Sequence, residues 1–288
     1  MRIGTVKEIW RYPVKSMAGE QIESTTVGAL GVPGDRAWAL RDEEAGEIRG
    51  AKKIPGLLHF AARYLGDPAG DYDPIPIAIT TPDGTTVSSE EADVSKSLSA
   101  AVGREVTLQA RPDPQADAAH YLPGKQMFDD PMENLRHILG LEGDDPIPDL
   151  SGLPANLREY IGPLGTYFDC FPLHILTTAS LDELQRLSPE ANFDVRRFRP
   201  NVLLEADAAL TGFAESDWGG RTLRIGEVVI EVNTSAVRCS MPMQSQQGLE
   251  FDKGTLRTVK DHNGQHVGIY CSVTTPGPIA VGDEATLD

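Results

Sequence analysis

Turns come too often in this chain to leave room for long helices. It carries 28 Gly and 21 Pro in 288 residues, and the runs between them are short and alternate apolar with polar. Such alternation reads as strand, because successive side chains of an extended backbone point to opposite faces. The pattern predicts extended segments over 3–14, 21–30 and 35–41, with Asp42-Glu43-Glu44-Ala45-Gly46 turning the chain into Glu47-Ile48-Arg49. Ile75 to Thr81 and Thr85 to Ser88 flank Pro82-Asp83-Gly84, a hairpin signal, since Asp-Gly accepts the positive φ of a tight turn. A helix is predicted over 90–102 behind serine caps at Ser88 and Ser89, followed by a strand from Glu105 to Ala110.

Between Asp113 and Glu159 the pattern dissolves. Ten acidic residues face three basic ones, with prolines at 114, 123, 131, 146, 148 and 154, a composition that reads as linker or surface loops. Regularity returns with a strand from Phe171 to Thr178 and a capping box, Ser180-Leu181-Asp182-Glu183, that opens a short helix to Leu187. Further strands are predicted over 201–205, 222–225, 228–232, 267–274 and 279–287, with Gly226 and Gly282-Asp283 where turns are required. The whole predicts a mainly β (α+β) chain, a barrel or sandwich rather than a doubly wound parallel sheet. Its expected parts are residues 1–112, a loop segment 113–159, and residues 160–288.

Composition narrows the partners. A net charge of −17, from 26 basic and 43 acidic residues, repels nucleic acid and anionic membranes, so neither is expected to bind. The start, MRIGTVKEIW, has no continuous apolar stretch of a signal peptide. No apolar run approaches the roughly 18–20 residues that span a bilayer. A cytoplasmic location is expected. Three cysteines, Cys170, Cys239 and Cys271, without CxxC spacing, argue against a disulfide scaffold, a structural zinc site or an iron–sulfur cluster with its usual four thiolates.

No GxSxG, HExxH or GxxxxGK[ST] signature is present. His262 and His266 have helical spacing but surround Asn263-Gly264, which points to a turn. The basic residues are more informative. Arg196, Arg197 and Arg199 lie just before a predicted strand, Arg238 precedes Cys239, and Lys15-Ser16 closes the first extended segment. Charge alone leaves two readings: dispersed surface charges and ion pairs, or strand-end cations gathered into an anion site. Cys239 is expected in a loop at a strand end, beside a guanidinium that favours its thiolate, the form that binds metals or attacks. Cys271 alternates with Tyr270 inside Val267 to Val273 and reads as a buried structural thiol. Cys170, ahead of an apolar strand, reads the same way.

In this order, YPVKS at 12–16, GDRAW at 34–38, PLHILTTASL at 172–181, FRPN at 198–201, RC at 238–239, VGIY at 267–270 and PGPIAVGD at 276–283 resemble the MOSC domain proteins over nearly the whole chain. The resemblance implies an N-terminal β-barrel-like module followed by a MOSC β-barrel with a few short helices. It points to the amidoxime-reducing members of the family, and so to an oxidoreductase that reduces small N-hydroxylated compounds with a molybdenum cofactor, a molybdopterin dithiolene. Cys239 would be the metal ligand. Lys15, Ser16, Arg36, Arg199, Asn201, Arg238 and Tyr270 would hold the cofactor, and Tyr270 would also shape the substrate face. A phosphate-bearing pterin suits directed cations, and a thiolate suits a soft-ligated metal. Relatives carry small hydroxyl residues where this chain has Cys170 and Phe171. With no iron–sulfur cluster expected here, electrons would come from a separate ferredoxin- or cytochrome-type protein with its reductase, to a chain expected to be monomeric. The family also suggests an alternative, a non-catalytic carrier of cofactor or sulfur using Cys239 as ligand or persulfide.

Overall fold

The first strand decides how the fold closes. In a computed structural model that describes residues 1–68, 70, 75–112, 118–124 and 126–288, β1 (Arg2–Arg11) turns Ile3, Val6 and Ile9 into the interior, each at most 1% exposed. The chain continues through β2 (Glu20–Ile22), β3 (Ser24–Val27), β4 (Trp38–Asp42), β5 (Glu47–Arg49), β6 (Ala61–Tyr64), β7 (Ile77–Thr80), β8 (Thr86–Ser88), α1 (Val94–Val102) and β9 (Val106–Ala110). After α2 (Pro131–Leu139) come β10 (Leu173–Thr177), α3 (Thr178–Leu187), α4 (Val195–Phe198), β11 (Val202–Ala206), β12 (Thr222–Ile225) and β13 (Val228–Val237). The last elements are α5 (Lys253–Asn263), β14 (His266–Thr275), β15 (Gly277–Ala280) and β16 (Glu284–Leu287).

β1 pairs antiparallel with both β11 and β16, so the order β1-β11-β10-β14-β13-β12-β16 returns to its start as a closed seven-stranded barrel. Closure leaves no barrel edge to template aggregation. The strands β10 and β11 run parallel and are joined by a crossover through α3 and α4, as parallel neighbours require. Ile175, Val202, Leu204, Ile230, Ile269 and Leu287 fill the interior together with the three β1 residues. Cys271 lies in that core, fully buried as expected.

Two three-stranded sheets, β5-β4-β9 and β6-β7-β8, wrap a second core in the N-terminal part. Val14, Met17, Leu40, Leu57, Phe60, Ile77, Ile79 and Leu98 are among its buried residues. The mainly β reading with few helices therefore holds. The predicted hairpin is β7 and β8, which pair antiparallel.

Three local expectations change. Residues 113–117 and 125 of the expected loop segment lie outside the described residues, but the rest of it contains α2. Asp130 accepts a hydrogen bond from the Met132 backbone N–H, Pro131 fits the first turn, and Gly140 ends the helix at φ 68°. The helix expected from Glu90 starts at Val94, because Ser88 caps a tight turn instead, accepting from the Glu90 N–H at 3.2 Å. Residues 253–263, for which no element was predicted, form α5, capped by Asp252 and ended by Gly264. No helix among the described residues is long and apolar enough to cross a membrane.

Candidate active site

The dispersed motifs converge on Tyr12. Its backbone N–H donates to Asp35 at 2.8 Å, and its hydroxyl donates to the Pro200 carbonyl at 3.2 Å. Arg36 and Arg199 both lie over its ring, with guanidinium carbons 4.9 and 4.2 Å from the centroid. One buried aromatic thus joins the YPVKS, GDRAW and FRPN segments.

Backbone strain marks the same place. Ser16, Arg36, Arg199 and Gln265 have φ of 67°, 47°, 55° and 70°, the only non-glycine residues with positive φ among those described. Each such conformation costs on the order of 1 kcal/mol or more and persists where surroundings enforce it. Three of the four belong to the sequence-predicted set, and Gln265 holds a fourth member in place. Its backbone carbonyl accepts from the Arg238 N–H at 2.8 Å, while its side-chain amide donates to the carbonyls of Arg238 and Leu139 at 2.8 Å each. On the other side of Cys239, the Ser240 N–H donates to the Ile138 carbonyl in the last turn of α2. Cys239, half-buried and two residues beyond β13, is therefore clamped from both flanks.

The cations are placed individually. The Lys15 ammonium donates to the Tyr167 carbonyl at 2.9 Å and to Asp169 at 2.7 Å. Arg36 pairs with buried Asp35 and reaches the Arg199 carbonyl at 3.4 Å. Arg199 donates to the Met17 carbonyl at 2.7 Å, and burial with the neighbouring Arg36 charge brings its pKa down to about 10, still protonated at neutral pH. Arg238 donates to the Phe198 carbonyl at 2.7 Å and approaches the His174 ring at 3.4 Å. Burial and that guanidinium push His174 well below its usual pKa, so it is a neutral imidazole. Asn201 is 1% exposed, and its side chain bridges the His174 N–H and the Trp10 carbonyl across β10 and β1. Of the arginines before β11, only Arg199 joins this group. Arg196 pairs with Asp194, and buried Arg197 bonds the carbonyls of Pro242, Gln244 and Glu250.

Lys52 and Asp169 were not singled out in the sequence, yet both belong here. The Lys52 ammonium is held above its usual pKa first by the Cys239 sulfur and then, against the cost of burial, by Asp169 and Cys170. Surrounding protein would raise the Asp169 carboxyl, but Lys15, Lys52 and Arg36 hold it well below the usual range although its side chain is 57% exposed. The accessible Asp169 carboxylate and the cations about it border the segment that carries Cys239. Cys170 also borders it, half-buried rather than sealed in the core, with a thiol that burial and Asp169 push up to about 12. Tyr270, opposite His174 across β10 and β14, adds an aromatic side with its ring 5.6 Å from both His174 and Phe171. Burial pushes its phenol well above the usual pKa, so it stays protonated.

Two donors in this cluster lack acceptors. The Arg199 Nη2 and Arg238 Nε atoms are buried without a hydrogen-bond partner among the described residues. Such groups normally find one, since an unsatisfied buried donor costs roughly 1–3 kcal/mol. An anionic ligand with several oxygens fits that demand. Among the described residues no three His, Cys, Asp or Glu side chains group into a metal cage.

The MOSC N-terminal beta barrel domain model matches residues 3–123 and the MOSC domain model residues 163–286. The mitochondrial amidoxime reducing component 2 of Bos taurus is 25% identical, over 98% of this chain and 82% of its own length. Component 1 of Homo sapiens is 24% identical, over 99% and 83%. The solved YUAD protein of Bacillus subtilis covers 99% of this chain and 95% of its own at 11% identity, with a TM-score of 0.43.

Proposed function

The chain belongs to the MOSC family, and on that premise we propose that it is a molybdenum-cofactor-dependent reductase of N-hydroxylated compounds such as amidoximes. The observation that carries this reading is the conjunction of a clamped, half-buried Cys239 with two buried guanidinium donors that lack acceptors, Arg199 Nη2 and Arg238 Nε. A thiolate for a soft-ligated metal and directed donors for a phosphate-bearing pterin are what the molybdopterin cofactor requires. The similarity to amidoxime reducing components supports the reaction.

When bound, the cofactor supplies a two-electron centre able to take the oxygen of an N–O bond. The net reaction adds two electrons and two protons to an amidoxime, breaking the N–O bond and releasing an amidine and water. Lys15, Lys52, Arg36, Arg199 and Arg238 balance the anionic group, and their fixed positions keep the reorganisation cost of binding it low. Gln265 and the end of α2 fix the direction of the Cys239 side chain. Tyr270 and Phe171 face the substrate side. Electrons arrive from a separate ferredoxin- or cytochrome-type carrier with its reductase.

Cys239→Ser tests the assignment in protein from a host that makes the cofactor. Molybdenum content is expected to fall several-fold and amidoxime reduction by a chemical donor to disappear. Full loading and full turnover in that variant would overturn it. A wild-type protein that binds molybdenum yet never turns over would instead be a carrier.

A further inference from the structure

The candidate site has an aromatic side that cation balance does not explain. Phe171 and Tyr270 stack with ring centroids 5.6 Å apart and planes 24° from parallel. Both keep part of their surface open to solvent. Phe171 ends the run Asp169-Cys170-Phe171, and the exposed carboxylate of Asp169 begins it. Tyr270 is backed by His174, with centroids 5.6 Å apart and 56° between planes. Its position cannot relax backwards, because Gly268 presses on the imidazole: a Cβ there would stand 2.4 Å from His174 Nε2. The stack is therefore a supported aromatic surface. It lies next to the metal-ligand segment through a direct chain of contacts, from Phe171 to Tyr270 to His174 to Arg238, the neighbour of Cys239.

An aromatic surface in this place has a specific consequence. Stacked or offset rings attract a further flat ring and gain little from a methyl group. A flat, conjugated molecule suits this surface. We propose that Phe171, supported by Tyr270, is a specificity-determining residue that selects aryl-conjugated N-hydroxylated substrates over small alkyl ones. The inference rests on the proposed reductase function and adds a substrate class to it.

The test compares benzamidoxime with acetamidoxime in wild-type holoprotein and in the Phe171→Ser and Phe171→Leu variants. Two measurements are made: kcat/KM with dithionite as the electron source, and direct binding of each compound to the oxidised protein by calorimetry. Molybdenum content is checked in each preparation, and rates are expressed per molybdenum. The ratio of aryl to alkyl kcat/KM is expected to fall about tenfold in both variants, with a parallel loss of benzamidoxime affinity. Leucine keeps apolar volume without a ring, so a ratio restored by Phe171→Leu would overturn the aromatic argument. A ratio unchanged within twofold in both variants, with both compounds reduced, would overturn the proposal and leave the reductase reading standing. If neither compound is reduced yet benzamidoxime binding still depends on Phe171, the reductase reading fails while the aromatic surface stands. If binding is also independent of Phe171, both fail.

Discussion

At the scale of single residues, the chain separates groups gathered at the candidate site from groups that serve the barrel. Glu215 belongs to the second kind. Its side chain is fully buried, one oxygen accepts from the Thr177 hydroxyl at 2.8 Å, and the other has no partner that meets hydrogen-bond geometry. Burial raises its pKa above the ordinary 4.5 despite help from Ser180 and Thr177. The folded state therefore holds a proton that the unfolded chain releases above that value, so this group costs stability as pH rises through the window above 4.5. Glu215→Gln removes the charge, keeps an acceptor for Thr177 and offers an N–H₂ to the neighbouring Ser180 hydroxyl oxygen. The variant is expected to melt about 2–4 °C higher at pH 8 for each ~1 kcal/mol gained, with the difference shrinking towards pH 4. Thermal melts across that range check it, and a lower melting temperature at pH 8 would contradict it. The candidate site was legible at residues with a strong local mark: Arg238 beside Cys239, Lys15 at a strand end, Arg199 before β11. Lys52 and Asp169 were not, because neither stands in a motif. Their meaning comes only from Lys52 facing Asp169 and Cys239, both more than a hundred residues further along the chain. Lone His174 in the apolar run Leu173 to Thr177 was the one overlooked signal a sequence could offer.

At the scale of elements, close backbone approaches place the site, and glycine permits them. Gly268 sits in β14 at φ 78°, and a Cβ would come within 2.4 Å of His174 Nε2 and 2.8 Å of the Ile175 carbonyl oxygen. Gly268→Ala must strain its own backbone and push β10 or His174 aside. The expected loss is about 2 kcal/mol or more in denaturant unfolding, with lower molybdenum content, since His174 supports Arg238. Unchanged stability and loading would mean that the two strands separate freely. Element legibility follows a similar physical divide. Strands bounded by Gly and Pro were read closely, Thr222 to Ile225 among them, because turn residues mark both ends. The helix α2 was hidden by its acidic, Pro-rich surroundings although Asp130, Pro131 and Gly140 carry complete start and stop signals. In α5 the buried face includes Thr255 and Thr258, so polar side chains interrupt the apolar stripe that would have revealed it.

At the scale of the whole molecule, two facts were beyond local reading: which strands pair, and where the barrel closes. Period-two alternation identifies a strand and its inner face but not its partner. The strands that close the barrel on β1 lie some two hundred residues or more along the chain, Val6 opposite Leu204 and Gly4 opposite Ala285. Closing such contacts is entropically costly, and β1 offsets the cost by burying Ile3, Val6 and Ile9. At roughly 1.5–3 kcal/mol for each such side chain, its removal approaches the ~5–15 kcal/mol that holds a typical domain folded. A fragment of residues 163–288 is therefore expected to show no cooperative unfolding transition. The ends of the chain supply the remedy. The Met1 ammonium donates to the Leu287 carbonyl at 2.6 Å, and the Leu287 N–H donates to the Met1 carbonyl at 2.7 Å, so β16 and β1 lie as the two arms of a hairpin would. Joining residues 1–11 to Asp288 through a short glycine-rich turn is expected to close the barrel and restore a cooperative melt. A fused fragment that stays unfolded would show that the contacts from α2 and the N-terminal sheets, rather than closure by β1, hold the barrel together.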